Sequence, residues 1–143
     1  MKNTAHLLAT ARLVKITARI SLGLVWLYEG LIPKILCLAA HPEQTELVRD
    51  SGLYWSTPER TLILLGIAQV ITGIVLILGW AERATVLLAT LGMAVLILLV
   101  ATGRPAMLTD PFGALAKDLC LIACAAAVWL LSPLVSPAAK NGR

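Results

Sequence analysis

Four apolar runs of about twenty residues, separated by short polar stretches, account for most of the chain. At 1.5 Å rise per residue, a helix of that length crosses a hydrocarbon core of about 30 Å. None of the runs shows the ten-residue alternation of a membrane strand. The first run reads as a helix over about 13–39. His41–Thr57 is a polar loop in which Pro42 opens a short helix over EQTELVRDS and Gly52 stops it. Thr57-Pro58-Glu59 supplies a cap, a first-turn proline and a first-turn acid, and so starts a second helix over about 58–79. Gly79-Trp80-Ala81 is a tight turn. Glu82 and Arg83 open a third helix over about 82–102, which Gly103 and Pro105 stop. Asp110-Pro111 repeats the cap-and-proline start for a fourth helix over about 111–131, with Ser132-Pro133 ending it. Connections this short make neighbouring helices antiparallel. The expected fold is all-α, an integral membrane four-helix bundle forming one domain over 1–143.

Composition strengthens that expectation. The 143 residues are 59% hydrophobic and 14% charged, against about 45–50% and about 25% in soluble domains. Lipid is therefore the expected solvent. The net charge of +4 does not point to nucleic acid, because the basic residues sit at the ends of the apolar runs and form no stripe. Lys2, Arg12, Lys15 and Arg19 precede the first run without an acid among them. That resembles a secretory leader, but the run that follows is too long and carries Glu29 and Lys34, so it reads as a retained helix. With Arg83, Lys140 and Arg143 on the same side, and only Arg49, Arg60 and Arg104 on the other, both termini are expected in the cytoplasm.

The polar residues inside the runs are the candidate chemistry. Glu29 and Gln69 fall near mid-membrane, and Lys34, Lys117 and Asp118 lie a turn or two closer to the outer side. Pro33 removes the backbone hydrogen bond to the carbonyl of Glu29, so a carbonyl and a carboxyl in one turn need partners: Gln69, Lys117, water or a ligand. Two readings stand side by side. One is an outward-opening polar pocket for a quinone head group, a small polar ligand or a proton. The other is a structural network, with Lys34 snorkelling to head groups, Lys117 and Asp118 at the interface, and Gln69 as an interhelical partner. Leu22-Gly23 with Gly30 is echoed by Leu65-Gly66 with Gly73. Each pair is two turns apart on one stripe where another helix can approach closely, whether the echo is an internal repeat or chance.

Other groups add less. Cys37, Cys120 and Cys124 have no zinc or CxxC spacing and read as inert buried thiols. His6 and His41 are isolated, so no metal site is expected. Trp80 and Trp129 suit an interfacial belt.

GLVWLYEGLIPKIL, HPEQTELVRDSGL, LLGIAQVITGIVLILG and DPFGALAKDLCLIA, in this order, resemble the DoxX-like family of small bacterial membrane proteins, over about 18–131. The resemblance implies a four-helix bundle in the bacterial inner membrane. It places familiar features at Gly30, Lys34 and Lys117. Its DoxX and DoxD relatives include subunits linked to thiosulfate oxidation with quinone as acceptor, and others join membrane redox-stress assemblies or act as assembly factors. This branch is similar to members of which some are fused to sugar-nucleotide epimerase-like domains. Gln69 stands where relatives often carry an acid, which counts against a proton relay, and Asp118 stands where Asn is common. No nucleophile–base pair, phosphate loop or metal cluster emerges. The leading expectation is a non-catalytic membrane accessory or assembly subunit, working with a membrane or redox protein or with its own copies. A quinone-interacting subunit is the alternative, and a small-solute or proton carrier the third.

Overall fold

In the computed structural model, the backbone of residues 2–109 and 114–135 is described, with side chains over 4–109 and 117–134. The Asp110-Pro111 cap and the tail bearing Lys140 and Arg143 lie outside the described residues. Four long helices form the body: α1 (Lys2–Leu31), α3 (Pro58–Leu78), α4 (Glu82–Gly103) and α5 (Ala114–Val135). The short α2 (Pro42–Ser51) caps one end. No strand occurs among the described residues.

Local chemistry accounts for most boundaries. Thr57 is extended, and its hydroxyl accepts from the Arg60 N–H at 3.3 Å, capping α3. Gly52 and Gly79 end α2 and α3 with φ of 67° and 75°, a conformation that favours glycine. Ala81 shares that left-handed region at φ 47°, completing the tight turn into α4.

Three boundaries differ from expectation. α1 begins at Lys2 rather than near 13, because residues 2–12 hold no Gly or Pro and include the helix formers Ala and Leu; continuous apolarity marks where a helix meets lipid, not where its backbone starts. At its other end α1 does not run regularly to 39. It widens at Ile32–Leu36 into a π-helical turn, with Cys37 N–H bonding to Ile32 O at 2.8 Å, and then tightens into a 3₁₀ turn over Leu38–Ala40. α5 continues through Ser132-Pro133 to Val135. A proline so close to the helix end loses one bond, to Trp129 O, without stopping the turn.

α1 packs most extensively on α3 and then on α5, and α4 leans on α5. The α1–α3 contact is a glycine seam. A Cβ at Gly30 would stand 2.6 Å from Gly66 O, one at Gly66 2.8 Å from Gly30 O, and one at Gly73 2.8 Å from Gly23 O. The two stripes seen in the sequence therefore face each other antiparallel, and the backbones touch. Gly92 on α4 makes room for the Trp26 ring, whose nearest atom lies 2.6 Å from where a Cβ would be. Around Trp26 the core gathers Leu22, Leu76, Met93 and Val128, all buried. Leu64, Leu78, Leu88 and Leu130 point outward, each more than half exposed. α3, α4 and 117–134 of α5 are long and apolar enough to cross a membrane. α1 carries Lys15, Arg19 and Glu29, yet the seam keeps its 23–30 stretch level with 66–73 of α3.

Candidate functional site

The site begins with the backbone defect at Pro33. The proline has no N–H to give Glu29 O, and the wide turn that follows brings position 34 under position 29. Lys34 then donates from Nζ to Glu29 O at 2.9 Å, and its ammonium stands 3.9 Å from Glu29 Oε2. On a regular helix these positions are about 140° apart and do not meet. The freed carbonyl is thus satisfied from within its own helix, by Lys34. Lys34 is 5% exposed, so it does not reach out to head groups.

From α5, Lys117 reaches Glu29 Oε1 at 2.8 Å. Asp118 follows it, buried. One carboxylate therefore sits between two ammonium groups, with a second carboxylate beside them. Glu29, Lys34, Lys117 and Asp118 line a cavity of about 380 Å³ whose remaining walls include Leu62, Leu65, Leu96 and Leu99. α2 closes it with Gln44, Leu47 and Val48. α2 is itself held down. Arg104, just past α4, donates to Asp50 at 3.1 Å and to Glu46 at 2.7 Å. Gly103 also lets Leu47 O approach to within 2.6 Å of where a Cβ would be.

Gln69 lies across the glycine seam from Gly30 and shares a small void of about 20 Å³ with Glu29, Lys117 and Asp118. It also borders an apolar cavity of about 160 Å³ with Trp26, Thr72 and Gly92. Its Oε1 is buried without a hydrogen-bond partner among the described residues, as is that of Gln44. A buried acceptor left unpaired is costly, so each marks a place where a donor belongs. All five polar positions singled out in the sequence come together around this one region. Cys37, Cys120 and Cys124 are free thiols, and among the described residues no group of metal-ligating side chains forms.

Sequence reasoning missed two features. One is Gln44 and the closing role of α2. The other is an ion cluster at the opposite end of the bundle, where Glu82 pairs with Lys15 at 2.8 Å and with Arg19, and accepts from Ser132 at 3.2 Å. The signal was present: Lys15 and Arg19 share a face of α1 at four-residue spacing, and Glu82 follows a tight turn that points it back at them.

No curated protein and no solved structure matches the chain. The sequence pattern of the DoxX-like family matches residues 23–126, from the glycine seam to the middle of α5, and so takes in the whole polar cluster. With that match spanning most of its length and three helices fit to cross a bilayer, this chain is a membrane protein that belongs to the DoxX-like family.

Proposed function

We propose that the protein is a small, non-catalytic membrane accessory subunit that holds the head group of a membrane-soluble ligand of the quinone class and works beside a membrane redox partner. The observation that carries this reading is the cavity of about 380 Å³ with apolar walls and a Glu29–Lys34–Lys117–Asp118 group at its polar end. That size and make-up suit a ligand with a ring-sized polar head and an apolar body. The donor set fits the head group in both redox forms: the lysine ammoniums donate to carbonyl oxygens, and the Gln44 oxygen, unpaired among the described residues, accepts from a hydroxyl. A bound quinone supplies the redox chemistry. The chain's own residues bind and orient its oxygens and, through α2, keep water away.

In this reading α1 is a fourth membrane span, because the glycine seam holds it level with α3. The site opens toward the outer face of the inner membrane, since Arg12, Lys15, Arg19 and Arg83 lie at the other end and basic residues favour the cytoplasm. The test is purification in mild detergent followed by solvent extraction and quantitation of quinone. The expected result is about one quinone per chain, lost in Lys117→Met. A preparation that retains none, and whose melting temperature does not rise with added quinone, would remove the ligand from the proposal. A co-purifying polypeptide would identify the partner.

A further inference from the structure

At the end of the bundle away from Glu29, the start of α4, the first half of α1 and the end of α5 frame a second, open cavity of about 690 Å³. Its lining is strongly basic: Arg12, Lys15, Arg19 and Arg83 against the single carboxylate of Glu82. That carboxylate is already shared, since Lys15 and Arg19 both pair with it. Arg12 and Arg83 have no carboxylate partner among the described residues. Arg83 is instead steadied by the Trp129 ring, 5.5 Å from its centroid. Arg19 Nε is buried and lacks an acceptor among the described residues. α4 begins here with no side chain capping its first N–H groups, and Ala81–Ala84 form part of the cavity wall. Free amides at a helix start add to the positive potential.

We propose that this cavity binds a phosphate group, carried by an anionic phospholipid or by a soluble phosphate. Arg12, Arg83 and the first turn of α4 contact its oxygens, and the Lys15–Glu82–Arg19 cluster forms a rigid floor. Arginine forks match a multi-oxygen anion from several directions, which an ammonium point charge does not. The floor holds two cations against the one carboxylate of Glu82, so Arg12 and Arg83, which have no such partner among the described residues, supply two of the three net positive charges. Their removal leaves the floor intact, whereas variants at Lys15 or Glu82 threaten the fold.

The experiment is native mass spectrometry of the full chain in detergent, titrated with phosphatidylglycerol or phosphatidylcholine, with inorganic phosphate as competitor. The parent should prefer phosphatidylglycerol, and Arg12→Gln/Arg83→Gln should lose about tenfold or more of that affinity. Arg49→Gln/Arg60→Gln, which removes the same charge elsewhere, should keep it. Displacement by millimolar inorganic phosphate assigns the site to a soluble phosphate, and resistance to it assigns a lipid head group. Equal binding of the two lipids by the parent, or an equal loss in both double variants, would overturn the site.

Discussion

Lys34 donates its ammonium to the backbone carbonyl of Glu29, five residues earlier, at 2.9 Å. A side chain thus takes over a bond that the Pro33 ring forbids. The two features should be energetically coupled. Lys34→Met leaves a buried carbonyl unpaired and should cost about 1–3 kcal/mol. In a Pro33→Ala background a backbone N–H can take that carbonyl, so the same change should cost distinctly less. A double-mutant cycle by thermal melts in detergent measures the difference. Additive effects would mean that proline and lysine act independently.

Glu29 stands between Lys117 at 2.8 Å and Lys34 at 3.9 Å. Glu29→Ala removes the acceptor and the volume, and leaves two ammoniums facing each other. Glu29→Gln keeps an oxygen and the shape. Both should lower stability, with Ala the worse by about 1 kcal/mol or more. Quinone retention should fall in both, since the two lysines lose the carboxylate that fixes their positions. Equal melting of parent, Gln and Ala forms would remove this cluster from any account of the site.

The closing helix α2 carries a pH dependence at its start. The Glu43 carboxyl is held below its ordinary value of 4.5 by its own backbone N–H and by the His41 ring 2.9 Å away. A carboxyl depressed in the folded state contributes stability that is complete above its unfolded value and is lost as pH falls through the folded one. Amide exchange in α2, corrected for intrinsic rates, should therefore rise below pH 4.5. Glu43→Gln should flatten that part of the profile. The effect is small because Glu43 is exposed. Arg104→Gln should raise exchange at every pH, because it releases both Glu46 and Asp50 from α4.

Orientation is open to a direct check. In a background with Cys37, Cys120 and Cys124 replaced by alanine, Ser56→Cys should react with an impermeant thiol reagent in intact cells. Ser136→Cys should react only after lysis. The reverse pattern would turn the protein over, with the Glu29 cavity toward the cytoplasm.

Much of this was legible from residue types. Pro42 and Gly52 bracket α2, Thr57 caps α3, and Gly79 to Ala81 turn the chain, because each uses a local backbone preference that needs no tertiary knowledge. The polar positions were legible because a charge in an apolar run is conspicuous. The meeting of Lys34 with Glu29 was not: it depends on a π-helical turn, and five-residue spacing on a regular helix argues against it. The Lys15–Arg19–Glu82–Ser132 cluster was hidden because each member had a sufficient local reading as flank, cap or helix end. The partner of each glycine stripe also lay beyond the sequence. Spacing shows that a helix can come close, while only the packed bundle shows which one does.

That seam gives the sharpest test of the packing. A Cβ at Gly30 would meet Gly66 O at 2.6 Å and Gln69 Cβ at 2.8 Å; one at Gly66 would meet Gly30 O at 2.8 Å and Lys34 Cβ at 2.9 Å. Backbone oxygens cannot rotate away as a side-chain tip can, so a single methyl must push α1 and α3 apart. Overpacking of this kind costs about 1–3 kcal/mol. Gly30→Ala and Gly66→Ala should each lower the melting midpoint in detergent by several degrees. Combined, they should cost less than the sum, because the first methyl has already parted the helices. Gly52→Ala is the control of a different kind: nothing lies within 4 Å of its Cβ, and only the backbone at φ 67° resists it. It should destabilise α2 and leave the α1–α3 seam intact, whereas Gly30→Ala should part the two helices and shift Lys34 and Gln69. An unchanged melt for Gly30→Ala would show that α1 and α3 do not pack backbone to backbone.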